Sequence, residues 1–149
     1  MPDAAHEWGD FPNTVLHFRS TPEITIDLRT VVDGSTRSNL HRAGFERSFG
    51  VITAQDPMGV TQLPAVNDAL SASLQQEAAG LGVTHVCVDA CSPDESHCER
   101  SVAIALDERS LIDLAHRYEQ LAMFWFDGEA FWIIPVHSRN ARLQLPVSR

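Results

Sequence analysis

Six polar residues have the types and the order to do chemistry: Thr53, Asp56, Asn67, His97, Glu99 and Gln120. Two carboxylates with an imidazole can hold a cationic group or pass a proton, and hydroxyl and amide groups can orient a bound molecule. Each also has a plain structural use. Asp56 and Asn67 are good turn and helix-capping types, and Glu99 has Arg100 beside it. Taken together they fall at strand ends and helix ends. A convergent polar cluster beside an apolar sheet is the usual setting of a small-molecule site.

A second set is His85, Cys87, Cys91, His97 and Cys98. Imidazoles and thiolates are zinc ligands, and His85 and Cys87 share one face of a strand. The spacing does not fit a paired Cys-x-x-Cys knuckle, so a metal site on His85, Cys87, Cys91 and His97 is not favoured, and no cofactor is expected. A third arrangement makes Cys98 a nucleophile with His97 or His85 as base and Glu99 as orienter. Neighbours on a strand point apart, which disfavours it. The three cysteines read as free thiols, with no disulfide and no structural zinc. His116, near Glu108 and Glu119, reads as part of a solvated helix face.

The elements that position the first set follow from the apolar pattern. Residues 49–54 are apolar or small, as in a central strand covered on both faces, and Asp56-Pro57-Met58-Gly59 ends it in a polar turn. Leu63, Val66, Leu70 and Leu74 mark a helix over 64–79, stopped by Gly80 and Gly82. A strand over 83–90, a loop at Ser92-Pro93-Asp94-Glu95 and a strand over 101–106 come next. A helix over 107–121 carries Leu111, Leu114, Ala115, Tyr118 and Leu121 on one stripe. Residues 122–126 and 130–136 form a hairpin about Asp127-Gly128. Upstream, 14–18 and the alternating 23–29 form another hairpin, and a short helix is expected around 38–43 within the polar, Arg-rich 30–48 segment.

From residue 49 the order is strand, helix, strand, strand, helix, strand, strand. It predicts an α+β fold, a ferredoxin-like βαββαβ sheet with added N-terminal and C-terminal strands and its helices on one face. The other face, with Phe124, Phe126 and Phe131, then needs a partner or the N-terminal segment as cover. A helix crossover makes the strands it joins run the same way. The loop from Cys91 to Cys98 should therefore return to the rim where Asp56 and Asn67 lie, bringing His97 and Glu99 to them.

The stretches Ile52-Thr53-Ala54-Gln55-Asp56-Pro57, Asn67, Pro93-Asp94, His97 with Glu99, and Gln120 with Ala122 recur in order over about residues 14–136. In this the chain resembles a bacterial family catalogued as domain of unknown function 3293. That family's pattern is Ile-Thr-Ala, a variable residue and Asn-Pro on a strand, then a helix Asn. A Pro-Asp-Gly loop follows, with an aromatic residue or His two before Glu, and Gly-Gln-Asn-Ala ends the last helix. Asp56 stands where the family has Asn, Glu95 and Glu119 where it has Gly, and Leu121 where it has Asn. The resemblance implies no activity.

Composition sets the frame. The chain of 149 residues carries a net charge of −9 and no lysine, which argues against a nucleic-acid binder. Residues 50–137 hold thirteen Asp and Glu against three Arg, and 138–149 hold three Arg and no acid. No run is long enough to cross a membrane, and the acidic start is no secretory signal, so a cytoplasmic protein is expected. The expected organisation is a flexible arm over 1–13, one α+β domain over 14–137 and a basic tail over 138–149. The expected function is a small-molecule-binding or regulatory domain with its site at the rim. The alternatives are a hydrolase-type enzyme using Asp56, His97 and Glu99, and an interaction module forming a homodimer through the open sheet face.

Overall fold

A computed structural model describes residues 8–147. Residues 1–7 of the expected arm and 148–149 of the expected tail lie outside them. In chain order the elements are β1 (Val15–Phe18), β2 (Ile24–Asp27), α1 (Gly34–Arg42), β3 (Phe49–Thr53), α2 (Pro64–Gly80), β4 (His85–Cys91), β5 (Cys98–Ile104), α3 (Glu108–Arg117), β6 (Ala122–Phe126), β7 (Phe131–Pro135) and β8 (Leu143–Gln144). The fold is α+β. One eight-stranded sheet in the order β2-β1-β4-β5-β3-β6-β7-β8 pairs antiparallel throughout and curls into a half-barrel.

Local chemistry sets the helix starts. The Asp33 carboxylate accepts the Thr36 N–H at 2.7 Å and opens α1, and the Asp107 carboxylate accepts the Ser110 N–H at 3.1 Å and opens α3. Pro64 begins α2, where its missing N–H has no helical partner to lose. Among the described residues, no helix is long and apolar enough to cross a membrane.

Alternation along the strands divides the core in two. On one face Ile52, Val102 and Ile104 meet Leu74 and Ala78 of α2 and Leu111, Leu114 and Ala115 of α3. On the other, Phe18, Phe49, Val51, Phe126 and Phe131 meet Leu40 of α1, with Phe45, Leu145 and the half-buried Phe11. The helices expected over 64–79 and 107–121 thus share one cluster, while α1 covers the opposite side. Helix α3 lies so close to β3 that a Cβ on Gly50 would come within 2.8 Å of the Leu111 side chain.

The stripe expected on α2 is rotated. Ser71, Leu74 and Ala78 are buried, whereas Leu63 and Val66 are exposed. These two sit at the helix start, ahead of the turns that carry the buried residues. The Phe124, Phe126 and Phe131 face is filled from within the chain. The N-terminal segment supplies Phe11 against Phe124, α1 supplies Leu40, and the residues after β7 supply Leu145.

Candidate functional site

Strands β3 and β4 both run antiparallel to β5, which lies between them, so β3 and β4 point the same way. The loop after β4 therefore returns to the rim where β3 ends, as the crossover argument expects. Thr53 closes β3. Its hydroxyl donates to the Arg100 carbonyl at 2.7 Å and accepts the Gln55 N–H at 3.1 Å.

Asp56 turns the chain in the left-handed region, with φ 46° and ψ 62°, where Asn and Asp are tolerated better than bulkier residues. Its N–H donates to Asn67 Oδ1 at 3.0 Å, while Asn67 Nδ2 donates to its Oδ1 at 2.8 Å and the Gln62 N–H donates to the same oxygen at 2.9 Å. The Asn67 amide, first, and the Gln62 N–H hold the Asp56 carboxyl below the usual carboxylate range. Asn67 in the first turn of α2 thereby stitches the loop to the helix. A second stitch comes from behind. Gln120 is buried and its Nε2 donates to the Gln55 carbonyl at 3.0 Å and the Tyr118 carbonyl at 3.1 Å. The Met58 N–H donates to the Glu119 carbonyl at 2.6 Å.

His97 and Glu99 are two apart and share one side of the chain entering β5, which brings His97 Nε2 within 3.6 Å of Glu99 Oε1. The His97 side chain is 70% exposed and that of Glu99 only 25%. Burial pushes the Glu99 carboxyl up; His97 opposes this and the Asp56 charge adds to it. Asp56, His97 and Glu99 are thus near enough to act on one another's charge.

A cavity of about 240 Å³ opens at this rim on the α1 side of the sheet. Val51, Phe124 and Ile133 form its floor and Phe11 an edge. Thr53, Gln55, Asp56, Glu99, Ser101 and Gln120 form its polar end. Four of the six candidate residues therefore line it. The other two stand behind: Asn67 holds Asp56, and His97 lies against Glu99. Ser101 is a lining residue that the sequence reading missed. Its signal was parity, since it lies two after Glu99 and opposite Thr53 in the β3–β5 register. Phe11 had no local signal, because its place at the cavity, edge-on to Phe124 with ring centroids 6.1 Å apart, is set by packing between distant segments.

The thiol expectations are overturned. Cys91 and Cys98 face each other across β4 and β5, with Cα atoms 4.0 Å apart, and form a disulfide. Cys87 is the free cysteine. Spacing along the chain hides such a pair, because only the strand register sets the two residues opposite each other. Cys91 is accordingly no thiolate ligand and Cys98 no free nucleophile. His85 pairs with Ile104 at one end of the β4–β5 hairpin, and His97 lies beyond the other end, so these two cannot share an ion. Among the described residues, no group of three or more His, Cys, Asp or Glu is placed to hold a metal ion.

The polar end of the cavity lies within one recognisable stretch. Residues 52–123 match the model of a family described as protein of unknown function (DUF3293). The resemblance read from the sequence is borne out over that segment. The DUF3293 stretch runs from the end of β3 into β6 and contains all six candidate residues. The cavity's edge at Phe11 and its floor at Val51, Phe124 and Ile133 come from outside it. No curated protein and no solved structure matched the chain.

Proposed function

We propose that the chain is a small-molecule-binding protein, a ligand-sensing or regulatory domain, whose site is the cavity at the end of β3. The observation that carries this reading is the cavity's division into an apolar floor and one polar end bearing two carboxylates. That division orients a molecule, since apolar lining supplies burial and a few convergent polar groups supply direction. The loop that shapes the polar end is tied down by Asn67 and Gln120 before any ligand arrives, so little ordering opposes binding.

The hydrolase reading has less support. His97, its proton carrier, stands outside the cavity lining and faces solvent. The homodimer reading loses its motive, because the aromatic sheet face is packed by Phe11, Leu40 and Leu145. In the same spirit we read β3, α2, β4, β5, α3 and β6 as a ferredoxin-like unit. The strand order β4-β5-β3-β6 supports this, with β1 and β2 added on one side and β7 and β8 on the other. A cytoplasmic setting rests on composition, whereas the Cys91–Cys98 bond favours an oxidising one.

The test is a crystal structure of protein purified directly from cells, combined with a small-molecule titration followed by amide resonances. Organic density between Val51 and Glu99, or shifts gathered at Thr53, Ser101 and Gln120, supports the reading. Only water in the cavity, with no shifts at these residues across a broad set of metabolites, contradicts it.

A further inference from the structure

Resting on the reading of this cavity as a ligand site, its lining also carries a statement about the ligand. Among the described residues, the charged side chains that line it are Asp56 and Glu99, and no Arg or His is among the lining residues. The chain has no lysine to swing in. The remaining polar groups, Thr53, Gln55, Ser101 and Gln120, are neutral, and the floor is aromatic and aliphatic.

We propose that the cavity takes a small organic monocation, an amine whose ammonium sits between Asp56 and Glu99 and whose short apolar body lies on Val51, Phe124 and Ile133. An anionic ligand would meet two carboxylates in the cavity itself, with the nearby His97 imidazole lying outside the lining. A neutral ligand would leave the half-buried Glu99 carboxylate with only the exposed His97 imidazole, 3.6 Å away and outside the cavity lining, beside it. An ammonium gives both carboxylates charge-assisted hydrogen bonds and replaces the solvent that Glu99 has lost. The aromatic rings of Phe11 and Phe124 meet edge to face at the apolar end, which suits a flat ring or a short alkyl body. At about 240 Å³ the space is below the usual range for drug-sized ligands of roughly 300–1,000 Å³, so the body is small. The Asp56 carboxyl stays ionised through its bonds from Asn67 and Gln62, which supplies the fixed charge of the pair.

The experiment compares benzylamine, benzyl alcohol and benzoate, three probes of one shape and different charge, titrated against the whole chain and followed by amide resonances of the cavity residues. The expected result is that benzylamine binds at least about tenfold more tightly than the alcohol, the scale of one hydrogen bond to a charged group, and that benzoate does not bind. Two variants then locate the charge. Asp56→Asn keeps the Oδ1 acceptor that Asn67 and Gln62 use, so the loop stays held, and Glu99→Gln is a second, independent change. Each is expected to bring amine and alcohol within about threefold of one another.

Alcohol or benzoate binding as tightly as the amine overturns the cation proposal while leaving the ligand-site reading intact. An amine preference unchanged in both variants also overturns it. No shift at the cavity with any of the three overturns the proposal and counts against the ligand-site reading itself.

Discussion

Three acidic residues sit where the backbone turns left-handed. Asp56, Glu95 and Glu119 have φ of 46°, 59° and 55°. A side chain there costs about 1–2 kcal/mol, which glycine avoids and Asn or Asp reduces. The loop shapes are therefore set by the fold, and this chain holds them with less suitable residues. Glu119 is the cleanest place to test this, since its side chain is exposed while its carbonyl does the structural work of accepting from Met58. Glycine also loosens the unfolded chain by about 0.5–1 kcal/mol, so the net gain from Glu119→Gly is expected to be about 0.5–1 kcal/mol. Thermal melts should show Tm raised by roughly 2–3 °C, and a lowered Tm contradicts the strain account.

Glu99 carries the matching electrostatic prediction. Its carboxyl is pushed up, first by burial, so folding favours its protonated form. Stability from this group is fully present below the ordinary glutamate range and is lost as pH rises through the raised folded value. Glu99→Gln removes that loss. The variant should melt above the native chain at pH 7, and the gap should close toward pH 4. A gap that widens on acidification contradicts the buried placement of Glu99.

At the scale of elements, the β4–β5 hairpin governs the rim. Its loop is closed at the base by the Cys91–Cys98 disulfide and braced inside by Asp94, which accepts from the Ser96 N–H and from the Ser92 and Ser96 hydroxyls. Those bonds, led by the Ser96 hydroxyl, hold the Asp94 carboxyl down at about 2. The support from Asp94 is present above the ordinary aspartate range and is lost as pH falls toward about 2. Thiol titration in denaturant without reductant should find one thiol per chain, that of Cys87. Replacing Cys91 and Cys98 together by serine should lower stability by about 2–3 kcal/mol, the chain-entropy expectation for so short a loop. Three titratable thiols before reduction contradict the bond.

The same hairpin shows where sequence reasoning runs out. Strand β3 and helices α2 and α3 are legible because apolar runs of the right period end at Pro, Gly or Asp. The facing of α2 is not, since periodicity names a stripe without saying which part of it the core covers, and Leu63 and Val66 are left exposed. The disulfide is not legible either, because it depends on the β4–β5 register.

For the whole molecule, the reach of sequence reasoning is set by topology. The crossover rule was enough to put Asp56, Asn67, His97 and Glu99 at one rim, although β3 and β4 are separated by β5 in the sheet. It could not supply Phe11 or Ile133, which come from the chain's outer segments and close the cavity from a distance. Nor could it show that the aromatic sheet face is covered by the chain's own α1, N-terminal and C-terminal segments. The net charge of −9 agrees with a site whose charged lining is anionic, since such a field draws cations toward the rim.

Two carboxylates share one partly desolvated cavity, and the measurement that reads this directly is the titration of Glu99 by side-chain carbonyl NMR, in the native chain and in Asp56→Asn. The expected result is a Glu99 carboxyl that titrates above the ordinary glutamate range and moves down when the Asp56 charge is removed, because that charge adds to the effect of burial. A Glu99 that titrates at or below the ordinary range, and does not move in Asp56→Asn, places the two groups apart and contradicts the shared site.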